Sequence, residues 1–86
     1  MPGNFNDADS SVEQKITITA TQAEILRMIA DGLSNSAIAE ARGITLRAAE
    51  ALIQRTFTAL GVTGDSTINP RVVAVRKWQQ GKVVVR

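Results

Sequence analysis

The stretch from Gly32 to Val62 constrains this chain most, because its apolar residues, capping residues and glycines fall where two consecutive helices and a tight turn require them. Ser34 can accept a hydrogen bond from a free N–H in a first helical turn, and Ala37, Ile38 and Ala41 give that helix a small apolar face. The helix is predicted from Asn35 to Ala41. Gly43 can take the positive φ that ends a helix, after which Ile44 drops back to the core. Thr45 is placed to cap a second helix, in which Leu46, Ala49, Ile53, Phe57 and Leu60 recur at spacings of three and four. At about 3.6 residues per turn they form one stripe, and Gly61 ends the segment. Two helices joined by a glycine-containing turn make a helix-turn-helix, whose second helix can lie in a DNA major groove.

With 86 residues the chain can bury one modest core. Hydrophobic residues form 44% of it and aromatics only 3%, so that core is aliphatic and suits small, closely packed helices. There is no cysteine and no histidine, which removes disulfides, thiolate nucleophiles, imidazole bases and the usual zinc ligands together. Without a nucleophile–base pair, a metal cluster or a phosphate loop, the expectation is a non-enzyme with no metal, no cofactor and no small-molecule ligand. No apolar run approaches the roughly 18–20 residues of a membrane helix, and the first residues lack a signal peptide's pattern. The expected location is the cytoplasm, with the nucleoid.

Charge is unevenly placed. Residues 1–41 carry Lys15 and Arg27 against Asp7, Asp9, Glu13, Glu24, Asp31 and Glu40, a net of −4. Residues 42–86 carry eight cations, among them Arg42, Arg47, Arg55 and Arg71, against Glu50 and Asp65, a net of +6. The basic half contains the second helix of the pair, as contact with phosphates requires; the same charge also serves solubility.

Residues 1–15 are polar and acidic with little to bury, and are expected to be a flexible tail. Ile16-Thr17-Ile18 alternates like a strand but has no evident partner nearby, so it is read as an extended lead-in that sets Ile16 or Ile18 on the core. Thr19 or Thr21 caps a first helix whose buried face is Ala23, Leu26, Ile29 and Ala30, with Ile25 at the margin and Gly32 as its stop. A loop follows Gly61, and a fourth helix is expected over about residues 70–80, closed by Gly81. Its Val72, Val75 and Trp78 exceed what one narrow face can bury, which makes them candidates for a dimer contact as well as for core packing. Lys82 to Arg86 is strand-like and could pair with another chain, fold back or fray.

From Ile18 to about Gly81 the chain resembles the LuxR-type, GerE-like helix-turn-helix domain of bacterial transcription regulators. Ile18-Thr19 followed by Glu24-Ile25-Leu26 is similar to the family's L-T-x-R-E-x-E-V-L opening, and Ile29 to Asn35 to its I-A-x-G-x-S-N. Ile38-Ala39 matches its I-A, and Ile44 to Leu60-Gly61-Val62 keeps its I-S to L-G-V spacing without a gap. The resemblance implies an all-α fold, a four-helix LuxR-type helix-turn-helix domain over residues 16–86. It also implies DNA binding. Three departures stand out. Thr21-Gln22 replaces the family's R-E and with it the structural ion pairs those residues make. Glu50 replaces a lysine that faces DNA, and the loop before the fourth helix is a few residues longer.

If the stripe faces inward, Arg47, Glu50, Ala51, Gln54 and Thr58 lie on the opposite side of the second helix and are the candidates for base edges. Arg47 can bond guanine in bidentate fashion, Gln54 adenine, and Glu50 can accept from a cytosine amino group. Ser34, Asn35 and Ser36 open the preceding helix, where free N–H groups and the positive helix end favour phosphate. Thr45, Arg42 and Arg55 complete the phosphate set, although Ser34 and Thr45 also serve as caps and Arg42 or Arg55 can pair with an acid such as Glu40. The expected function is a double-stranded-DNA-binding transcription regulator acting as a homodimer. The alternative is a helix-turn-helix used for protein contacts, to RNA polymerase or another regulator, because Ala48, Glu50 and Leu52 lower the charge and polarity expected at a groove.

Overall fold

The computed structural model describes residues 15–62 and 69–86. In order along the chain these form β1 (Ile16–Ile18), α1 (Ala20–Ala30), α2 (Asn35–Arg42), α3 (Leu46–Ala59), α4 (Pro70–Gln79) and β2 (Val83–Val85). The four helices make the expected all-α domain, with one addition, the pairing of the two short strands. The tail expected over residues 1–15 lies outside the described residues apart from Lys15, as does most of the loop before α4.

Each helix begins at a residue whose side chain satisfies a free backbone donor. Thr19, and not Thr21, caps α1: its Oγ1 accepts from the Gln22 N–H at 3.1 Å while Gln22 Oε1 accepts from the Thr19 N–H at 3.0 Å. Ser34 and Thr45 cap α2 and α3 by accepting from the Ala37 and Ala48 N–H groups, each at 3.1 Å. Asn69 caps α4, and Pro70 follows in the first helical turn, where its missing donor leaves no bond unmade. Such caps stabilise a helix by about 1 kcal/mol each. Gly43 closes α2 at φ 68°, a left-handed conformation that costs a residue with a Cβ, and the Ile44 N–H then bonds back to the Ala39 carbonyl at 3.0 Å. Leu33, Val62 and Lys82 fold back in the same way, onto the carbonyls of Met28, Phe57 and Lys77. At Leu33, Ile44 and Val62 the reversal puts an apolar residue back against the helix just completed, whereas Lys82 stays exposed.

The core is aliphatic around one aromatic ring. Ile25, Leu26 and Ile29 of α1, Ile38 and Ala39 of α2, and Ala49, Ile53 and Phe57 of α3 are buried together with Ile18, Leu60, Val62 and Ala74. Burying a side chain of the size of Leu or Ile stabilises the fold by roughly 1.5–3 kcal/mol. α3 packs on both α1 and α2, α4 packs on α1, and β1 lies against α3.

The buried set differs from the periodic reading in three places. Ile25, read as marginal, is fully buried, whereas Ala23 and Ala30 are only half-buried. The face that α1 hides is rotated because α3 and α4 both lie on it. Leu46, the first residue of the expected stripe, is 44% exposed, and burial on α3 begins at Ala49. Thr56 is fully buried although polar, which its hydroxyl permits by donating to the Leu52 carbonyl within the same helix at 2.8 Å.

The lead-in at Ile16–Ile18 does have a partner strand, at the far end of the chain. β1 and β2 run parallel with Ile16 opposite Val83, Thr17 opposite Val84 and Ile18 opposite Val85. The Ile16 N–H donates to the Lys82 carbonyl at 2.9 Å and the Arg86 N–H to the Ile18 carbonyl at 3.0 Å. Parallel strands need a long crossover, and here the four helices supply it. Of the three fates open to Lys82–Arg86, folding back is the one taken.

Candidate nucleic-acid interface

α3 carries an exposed side that is polar except at Ala51. Arg47, Glu50, Ala51, Gln54 and Thr58 are all exposed, while Ala49, Ile53 and Phe57 on the other side are buried. The spacing of 47, 51, 54 and 58 places these four residues on one face, with Glu50 beside them. The face therefore presents a cation, a carboxylate and an amide within three helical turns, a donor and acceptor set that can meet base edges. Leu46 and Ala48 are exposed at the start of the same helix and add an apolar surface that periodicity alone had turned inward in the case of Leu46.

The residues expected at phosphates fall into three places. At the start of α2, Ser34 and Ser36 are exposed and Asn35 is half-buried. Ser34 Oγ accepts the capping bond from Ala37, which leaves its own O–H as a donor for an anion. Thr45 Oγ1 is in the same condition at the start of α3. Asn35 Oδ1 accepts from Arg71 Nη1 at 2.7 Å, so the NH2 end of the amide keeps its donors. Arg55 is exposed on α3.

Arg42 is differently engaged. It forms an ion pair with Glu24 of α1 and not with the neighbouring Glu40. The pair ties the end of α2 to α1, so a helix-tying ion pair exists here although Thr21-Gln22 lacks the family's R-E. Arg42 is half-buried and its Nε has no hydrogen-bond partner, which makes it more a strut than an open cation.

On α4 the three residues considered for a dimer contact part company. Val72 is 51% exposed, whereas Val75 and Trp78 are half-buried and pack on the core cluster. A groove between α4 and the end of α1 is lined by Ile29, Val72, Val75, Arg71 and Arg76. Arg71 was missed by the sequence reading as a site residue. Its two acceptors stand far from it in the chain, so no local pattern marks it.

Among the described residues there is no group of acidic side chains that could hold a metal ion, and no helix long and apolar enough to cross a membrane. Comparison with curated proteins and with solved structures gave no significant match. A family model, that of the bacterial regulatory proteins of the LuxR family, matches residues 17–69, more than half of the chain and the whole of α1, α2 and α3. The capped helix pair, the polar side of α3 and this match agree: the chain belongs to the LuxR family of bacterial regulatory proteins and is a DNA-binding transcription regulator.

Proposed function

We propose that the protein binds double-stranded DNA as a homodimer, each copy inserting α3 into a major groove, and acts in the cytoplasm on the nucleoid. The observation that carries this reading is the open polar side of α3, where Arg47, Glu50, Ala51, Gln54 and Thr58 are all accessible opposite a sealed apolar side. Arg47 and Gln54 read bases; Glu50 takes a cytosine amino group and repels phosphate, which trades general affinity for selectivity. Ser34, Asn35, Ser36, Thr45 and Arg55 hold the backbone, with Arg42 contributing only as far as its pair with Glu24 allows. Self-association uses α4, with Val72 as the exposed residue. A two-fold dimer doubles the phosphate contacts and matches a palindromic site.

A second reading rests on exposed Leu46 beside Ala48 and Glu50, an apolar and acidic end of α3 that suits a protein surface such as RNA polymerase or another regulator. Titration against a pool of genomic fragments at two salt concentrations separates the two. Enrichment of particular fragments with a steep salt dependence supports the first. Weak, flat binding without enrichment supports the second.

A further inference from the structure

The guanidinium of Arg71 reaches from the first turn of α4 to the segment that opens α2. Its Nη2 donates to the Leu33 carbonyl at 2.6 Å and its Nη1 to Asn35 Oδ1 at 2.7 Å. The two acceptors flank Ser34, the cap of α2. The Leu33 carbonyl shares its peptide plane with the Ser34 nitrogen, so holding that oxygen fixes how the cap enters the helix. Holding Oδ1 of Asn35 fixes the amide with its NH2 end free. The planar fork of arginine can meet two acceptors at once; an ammonium group cannot do so with the same geometry.

The base of this bridge is rigid. Asn69 caps α4, Pro70 fixes the first turn, and Ala74, one turn along, is fully buried. Val72, the exposed residue of α4, is adjacent to Arg71 in the chain.

We propose that Arg71 is a positioning residue for the phosphate contact at the start of α2, and that it couples the seating of α4 to the grip on the DNA backbone. The proposal rests on the reading of Ser34, Asn35 and Ser36 as phosphate contacts.

The test compares the full chain with R71K, N35A and the double variant on a mixed-sequence duplex across a salt series, with melting followed for each. R71K preserves the charge and loses the fork. The expected result is a several-fold loss of affinity for R71K and a salt slope lower by about one, as for one lost phosphate contact. The double variant is expected to be no weaker than the weaker single one, because both break the same bridge. Wild-type affinity and slope in R71K overturn the proposal, as do additive losses in the double variant. A lowered melting temperature with DNA binding unchanged at temperatures where R71K is folded also overturns it, since that is a purely structural role. If R71K does not fold, the proposal stands or falls on amide shifts of residues 34–37 in R71Q, which removes the fork and leaves those residues themselves unsubstituted. A shift of the Ser34 and Ser36 amides with a lowered salt slope supports it, and unmoved amides with a wild-type slope overturn it. Should S34A and N35A both bind with wild-type slope, the underlying phosphate reading fails as well; loss in N35A without loss in R71K leaves that reading standing and removes only the role of Arg71.

Discussion

Ile18 of β1 and Val85 of β2 lie opposite each other in parallel register, so the two ends of the domain are held together around a residue that is fully buried. Two of the bonds in this pairing run to Lys82 and Arg86, which bracket β2. Removing residues 83–86 is expected to lower unfolding free energy by about 1–2 kcal/mol, the worth of a few backbone bonds and partial exposure of β1. Urea unfolding measures the loss, and faster amide exchange at Ile16–Ile18 with unchanged helical circular dichroism assigns it to the strands.

Arg47 and Gln54 are exposed on the polar side of α3 and have no part in the core. R47A and Q54A are each expected to weaken binding to a selected fragment by roughly 1–3 kcal/mol while leaving melting unchanged. Competition against unselected DNA should show that selectivity falls with affinity.

Glu50 sits on the same side. E50K is expected to raise affinity for unselected DNA and to steepen its salt dependence by about one phosphate contact, while selectivity declines. Titrations at several salt concentrations check both signs.

Thr56 combines full burial with a hydroxyl bonded to the Leu52 carbonyl. T56V keeps the volume and removes the bond, and is expected to cost under about 1 kcal/mol because valine leaves no donor unpaired and the Leu52 carbonyl is still in reach of the i+4 N–H of the same helix. T56S keeps the bond and removes a buried methyl, for a loss of about 1 kcal/mol with its small cavity. Chemical denaturation of the two variants side by side ranks packing against hydrogen bonding at this position.

Val72 and Trp78 lie on the same helix with different exposure. V72E is expected to leave the fold intact and to shift sedimentation toward monomer. W78A should instead destabilise the fold by about 2–3 kcal/mol, because the indole packs on the core.

What the chain alone settled is what a turn or two of backbone can settle. Ser34 and Thr45 start helices and the glycines beyond end them, because a capping bond joins residues three apart and the positive-φ turn is set by one residue, whereas the choice of Thr19 over Thr21 and the cap at Asn69 came from the structure. The buried side of α3 beyond its first turn followed from its period, and the exposed side with Arg47 and Gln54 followed from that. Tertiary structure decided the rest. Ile25 is buried because α3 and α4 both cover α1, and Leu46 is open because the packing on α3 begins only at Ala49. Glu24 with Arg42, Arg71 with Leu33 and Asn35, and β1 with β2 join residues far apart in the chain. Such pairs depend on where whole helices come to rest, and that position is fixed by the shape of the common core, which no local spacing encodes.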